Sequence, residues 1–337
     1  MSNLILNKFD KNKDSKNTVP IWLMRQAGRY LPEYKKIRSK NKDFISFCLN
    51  IKDSSEVTLQ PIKRFNFDAA IIFSDILLVN YAAGQDVKFK ENFGPVLQKL
   101  DNKTFLSVEK DVFIDKLSNC YKSIKNVRNL LHKDKTLIGF AGSPWTLLVY
   151  ALNLKSPKNE FNLDYKEDVI SELLSKFINL VSWHCIEQIK NGADAIQLFD
   201  SWAGIIKNEK LNLYCENPNK KIIKNIKKIY PHVPVICFPR NIKDNISSFV
   251  ANVKPDGISL DFNTDIQKLD IDSNVVYQGG MRPDLLTIDD ENEIIKEAKK
   301  YLDFFKNKRY IFNLGHGVLP NTKIKNVEKL VNFVKNY

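Results

Sequence analysis

The sequence predicts an α/β fold, a single (β/α)8 TIM-type barrel with its active-site cleft on the C-terminal face of the strands. Three observations carry that prediction. Seven short apolar runs recur along the 337 residues, amphipathic helix-like segments separate them, and glycines and polar side chains gather just after each run. Strand–helix alternation builds a parallel sheet with helices outside it. In a closed barrel, the residues that follow the strands form the active face.

The runs are AAIIFS (69–74), TLIGFA (136–141), ADAIQLF (193–199), PVICF (234–238), DGISL (256–260), VVYQG (275–279) and RYIFNL (309–314). They are rich in Ile, Val and Phe and lack strict alternation, as strands buried on both faces do. An eighth strand is expected among residues 76–135; a doubly wound open sheet is the alternative. Between the runs, SELLSKFINLVSWHCIEQIKNG reads as a helix stopped by Gly192. TKIKNVEKLVNFVKN places Ile324, Val327, Leu330, Val331 and Val334 on one stripe. Even the gap from Leu260 to Val275 leaves about the dozen residues that a parallel crossover requires. No G-x-G-x-x-G or G-x-x-x-x-G-K-[ST] loop follows any run, so the usual nucleotide cradles are missing.

No repeat or low-complexity linker divides the chain. Residues 19–337 are therefore expected to form one barrel domain. Residues 1–18 are expected to be a flexible N-terminal segment, because their apolar patch is too short for a secretory signal. The hydrophobic content of 43% suits a folded protein, and no run approaches the roughly 18 apolar residues of a membrane span. Five scattered cysteines with no Cys-x-x-Cys pair read as reduced thiols of a cytoplasmic protein. The net charge of +13 comes from lysines spread along the chain among acids, with no dense basic run interleaved with aromatics. Nucleic acid is thus not the expected partner. A basic surface also attracts a small polyanion.

Only eight of the 52 basic residues are arginine, and two of them, Arg25 and Arg29, stand in PIWLMRQAGRY (20–30). Arginine offers a rigid, weakly hydrated fork that grips a carboxylate or phosphate through two bonds. Like charges four apart on a helix repel, and Gly28 weakens a helix, so a loop presenting both forks to an oxyanion is the better reading. The strand ends supply further polar groups: Asp75, GSPWT, Asp200 and Ser201 in DSWAG, Arg240 after Pro239, Asp261, QGG, and His316 in GHG. Any one of these could be ordinary turn chemistry. Seven in series, with few lysines among them, point to a site. Nothing in their spacing assigns a role to His132, His184 or His232, which read as structural, as do the four tryptophans. Asp200 either orients Ser201 or caps the next helix.

These blocks resemble the uroporphyrinogen decarboxylase family of the haem pathway over about residues 19–335. PIWLMRQAGRYLPEY and GFAGSPWTLLVY are similar to its two signatures. EVTLQPIKRFNFDAAIIFSDIL, QLFDSWAG and NLGHGVLP follow in the expected order and spacing. The resemblance implies a (β/α)8 barrel that works as a homodimer, with no metal or organic cofactor, and the composition adds a cytoplasmic setting with no nucleic-acid or membrane partner. The implied reaction removes carbon dioxide from the four acetate side chains of uroporphyrinogen III, giving coproporphyrinogen III. Carried over residue by residue, Arg25, Gln26, Ala27, Gly28 and Arg29 would form the substrate loop, its arginines on substrate carboxylates. Asp75 would accept from the pyrrole N–H groups and stabilise the cationic transition state. Tyr150, Ser201 and His316 would make further substrate contacts, and Phe44 would line the cleft wall. The proton donor is left open among Arg29, His316, Tyr150 and an acid of the substrate itself.

One block departs from the family pattern. QGGMRP has Gly280 and Arg282 where the family usually has Asn and Asp. The nearest rival is the sister group of zinc-dependent methyltransferases, which need a His-x-Cys pair and a later cysteine that this chain lacks. A polyanion-binding protein without catalysis is the rival from another class.

Overall fold

Each of the seven apolar runs forms a strand. The structure, a computed structural model, describes residues 3–13, 18–90, 93–157 and 165–337. In chain order, β1 (Ala69–Ile71) precedes a small pair, β2 (Val87–Lys90) and β3 (Gly94–Leu97). Then come β4 (Thr136–Gly142), β5 (Ala195–Asp200), β6 (Val235–Pro239), β7 (Gly257–Leu260), β8 (Val276–Gly279) and β9 (Tyr310–Ile311). The main sheet runs β1-β4-β5-β6-β7-β8-β9, parallel throughout, and β2 and β3 pair antiparallel apart from it.

The eighth position is not where the sequence placed it. Residues 76–135 contribute only β2 and β3, outside the ring. The gap between β9 and β1 is instead filled by residues 20–24. Phe312 N–H donates to the Pro20 carbonyl (2.8 Å) and Trp22 N–H to the Phe312 carbonyl (3.3 Å). On the other side Asp68 N–H donates to the Ile21 carbonyl (2.9 Å), and Ile21 N–H donates to the Asp68 carboxylate (2.8 Å). Side chains confirm a strand. Trp22 and Met24 join Ala69, Ile71, Ile138, Ala195, Phe199, Phe238, Val276 and Ile311 inside the ring, whereas Ile21 and Leu23 pack outward against the helical layer. A segment that opens on proline and uses one side chain of Asp68 as a ladder partner carries little strand signal.

The interior also contains a polar layer. Trp22 Nε1 donates to Gln278 Oε1 (3.2 Å), and Gln278 Nε2 donates to Gln197 Oε1 (2.8 Å) and Ser259 Oγ (2.7 Å). Buried polar groups are stable only when paired in this way, so the layer ties the closing segment to β5, β7 and β8. Outside the ring, the longest helix, Glu167–Lys190, starts four residues before the predicted segment and turns at Gly192 with φ +110°.

The N-terminal segment also differs from expectation. Leu4–Phe9 is a helix, capped by Asn3, whose side chain accepts from Leu6 N–H (3.1 Å) and from the Thr136 hydroxyl (2.6 Å). Ile5 is fully buried beside Trp22 and Ala69, and Arg309 donates to the Lys8 carbonyl (2.8 Å). The helix thus covers the N-terminal end of the strands. One buried isoleucine contributes about 1.5–3 kcal/mol, enough to dock a short apolar patch that looked like a frayed end.

Candidate active site

The closing segment delivers RQAGR to the C-terminal rim. Arg25 adopts φ +60°, a left-handed turn that bends the chain out of the ring. Gln26 then pins the turn: it is fully buried, its Nε2 donates to the Ala69 carbonyl (3.0 Å), and its Oε1 accepts from Leu23 N–H (3.1 Å). The Tyr30 hydroxyl donates to the Gln26 carbonyl (2.8 Å). Gln26 therefore shapes the loop, and its side chain is not free for a ligand. Ala27 and Gly28 are half-buried, while Arg25 and Arg29 are exposed and make no ion pair among the described residues. The Arg25 stem lies over Gly317, where a Cβ would stand 2.3 Å from Arg25 Cδ. Gly317 is thus what lets the β9 loop and the arginine share the rim.

Asp75 follows β1. Leu77 N–H donates to its Oδ1 (2.8 Å). Burial raises its carboxyl to about 6, opposed by that backbone bond and by Arg25. At neutral pH it is predominantly a carboxylate held in apolar surroundings, facing Arg25. His316 behaves in the opposite sense. Burial, with Arg25 and Arg240 nearby, lowers it to about 4, so it is neutral in the free site. A neutral imidazole can donate or accept one hydrogen bond but carries no spare proton at pH 7.

Ser201 and Tyr150 approach from the β5 and β4 ends. Asp200 is fully buried; its Oδ1 accepts from the Thr146 hydroxyl (2.7 Å), and Thr146 Oγ1 accepts from Trp202 N–H (3.0 Å). Asn219 also donates to Asp200 (3.5 Å). Of the two roles foreseen for Asp200, it therefore orients the Ser201–Trp202 turn. Burial raises its own carboxyl to about 6. Ser201 is half-buried, with no hydrogen bond from its hydroxyl among the described residues. The Tyr150 ring meets Trp202 edge-on at 6.1 Å, and its hydroxyl accepts from Ser156 (3.4 Å). Phe44 stacks edge-on with Phe89 (4.7 Å) and Phe73 (6.0 Å), forming an aromatic wall two residues before Asp75.

Two further groups join the site: Arg38, which sequence reading missed, and Arg240, which it placed among the strand-end polar groups without a role. Arg38 lies over Phe44 (5.7 Å) and donates to the Lys42 carbonyl (3.2 Å), bracing the wall. Arg240 is half-buried at the end of β6, within electrostatic reach of Arg25, Asp261 and Tyr150. Its position after a strand was the available signal. At the departing block, Gly279 and Gly280 take φ +92° and +103°, and a Cβ at 280 would fall 2.3 Å from the Tyr301 ring. Arg282 is exposed and ion-paired with Asp284. His184 is buried against the Tyr121 hydroxyl (3.1 Å) and His132 pairs with Asp134, both away from the rim. All five cysteines are buried and free. Among the described residues no three His, Cys, Asp or Glu side chains cluster to hold a metal, and no helix is long and apolar enough to cross a membrane.

A closed parallel barrel whose C-terminal rim holds Arg25 beside a part-buried carboxylate, with Arg29 exposed on the same loop, has the architecture of the barrel-enzyme class. Comparison narrows the class. The family described as Uroporphyrinogen decarboxylase (URO-D) matches residues 6–337. A protein named uroporphyrinogen decarboxylase from Rickettsia bellii is 45% identical, with 95% of this chain and 96% of that protein covered. One from Orientia tsutsugamushi is 41% identical over 97% and 96%. The chain belongs to the uroporphyrinogen decarboxylase family. Among solved structures it is similar to a methyltransferase from Methanosarcina mazei, with a TM-score of 0.80 and 14% identity over 100% of this chain and 99% of that one. That likeness shows the shared barrel alone.

Proposed function

We propose that this chain decarboxylates the acetate side chains of uroporphyrinogen III, yielding coproporphyrinogen III in haem biosynthesis. The observation that carries the reading is the pairing of Asp75 with the unpartnered arginines on one rim. The substrate brings eight carboxylates. A charge-assisted hydrogen bond to each is worth about 1.5–3 kcal/mol, whereas a buried unpaired carboxylate costs several. Arg25 and Arg29, held out by the pinned turn, bind and orient these acids. Tyr150, Ser201 and neutral His316 supply further hydrogen bonds, and the Phe44 wall covers the macrocycle's apolar face.

Decarboxylation needs an electron sink. When a pyrrole carbon is protonated the ring becomes cationic, and the electrons of the breaking carbon–carbon bond flow into it. Asp75 accepts from the pyrrole N–H groups and favours the cation over the neutral ground state, which is how a fixed charge lowers a barrier. Its carboxylate is already desolvated, so little reorganisation accompanies the step. The neutral state of His316 argues against it as the stored proton source in the free site.

Residues 19–337 act as one catalytic barrel, working as a homodimer in the cytoplasm. The test is turnover of uroporphyrinogen III by wild type and by Asp75→Asn. An Asp75→Asn enzyme with full kcat would sink the cation-stabilising role.

A further inference from the structure

We propose that Arg240 is a carboxylate-binding residue of the same cleft, gripping a substrate acid side chain from the wall opposite Arg25. The proposal rests on the decarboxylase reading and extends it to a residue that the family resemblance did not assign.

Placement comes first. In the ring of seven paired strands and the closing segment, β6 lies four positions from residues 20–24 in either direction. Arg25 and Arg240 therefore stand at the ends of opposite walls, on the same C-terminal rim. The Arg240 backbone is fixed. Its N–H donates to the Asp200 carbonyl (3.1 Å), and a Cβ on Gly204 would fall 3.1 Å from the Arg240 carbonyl and 2.5 Å from Asn241 Cβ. Asn241 then turns with φ +63°, its N–H on Asp261 Oδ2 (2.7 Å).

The half-buried side chain is only partly satisfied. Arg240 Nε is shut off from solvent and meets no hydrogen-bond partner among the described residues. Asp261 lies within electrostatic reach but does not bond to it. Asp261 spends one oxygen on Asn241 N–H and the other on Asn263 N–H (2.8 Å), and forms no ion pair with Arg240 among the described residues. Arg25 and Arg240 both lie near His316, which is neutral, and neither forms an ion pair among the described residues. A partly desolvated guanidinium is stabilised by a geometrically matched acceptor, and a carboxylate matches its planar fork. The macrocycle carries such groups around its whole edge. Two forks on opposite walls hold it at two edges and so set which acetate lies over Asp75.

The test compares wild type, Arg240→Gln and Arg240→Lys in the full chain, with uroporphyrinogen III under anaerobic conditions. Initial rates, carboxylate-resolved intermediates and thermal midpoints are recorded. Arg240→Gln is expected to raise KM by about 10- to 100-fold, the loss of one charge-assisted contact, with kcat nearly kept. Arg240→Lys should recover part of that loss, and the thermal midpoint of Arg240→Gln should stay near that of wild type, because the half-buried cation makes no ion pair that the substitution would break. Arg240→Gln with the KM of wild type overturns the proposal while leaving the decarboxylase reading intact. So does a lowered midpoint that Arg240→Lys shares with no recovery of KM. An inert wild type overturns the decarboxylase reading itself.

Discussion

At the scale of single residues, charge state decides the chemistry. Asp75 sits at about 6, raised mainly by burial, so kcat/KM should fall as pH drops through about 6. That acid limb should vanish in the residual activity of Asp75→Asn. The sign for stability runs the other way. A carboxyl whose folded value lies above its unfolded value contributes stability at low pH that is lost as pH rises through the folded value. Asp75→Asn should therefore raise the thermal midpoint more at pH 8 than at pH 5 while lowering kcat, and differential scanning at both pH values checks this. Arg25→Ala and Arg29→Ala should each cost roughly 10- to 100-fold in kcat/KM, as loss of one charge-assisted contact does, with thermal midpoints near wild type because both side chains are exposed.

At the scale of elements, the closing segment explains why the arginine loop is where it is. Ring closure and substrate loop are one stretch of chain, with Trp22 and Met24 in the interior and Gln26 locking the turn. Gln26→Ala leaves the Ala69 carbonyl and Leu23 N–H unpaired, so it should cost about 1–3 kcal/mol of stability and raise KM together, read by denaturant titration and kinetics. Gly317→Ala should spare the barrel but displace the Arg25 stem, raising KM with little change in thermal midpoint. The seven apolar runs were legible because burial on both faces leaves continuous apolar stretches. The closing strand was not, because Pro20, a side-chain ladder partner on Asp68 and an adjoining motif mask a stretch only five residues long. The candidate site was largely legible for a related reason: strand-end polar residues stand out against apolar runs. Burial was not legible. Gln26 looked like a ligand and is a pin, and Arg240, one polar strand-end residue among several, has a buried Nε with no partner among the described residues.

At the scale of the whole molecule, the two ends of the barrel divide the work. The Leu4–Phe9 helix covers the N-terminal end, with Ile5 inside the ring, and the proposed site residues lie at the other. Deleting residues 1–10 should lower the thermal midpoint by several degrees, since one buried isoleucine is worth about 1.5–3 kcal/mol, while leaving KM nearly unchanged in the folded fraction. The net charge of +13 attracts a polyanion to a rim that then binds it by geometry. The most direct measurement is anaerobic incubation of purified protein with uroporphyrinogen III and no added metal, with the products oxidised and separated by carboxylate number, and Arg29→Ala and Asp75→Asn alongside. Conversion of the eight-carboxylate species to the four-carboxylate species by wild type, slowed in both variants, is the predicted result. Wild-type protein that leaves fresh substrate untouched, or Asp75→Asn that matches it in rate, would contradict the account.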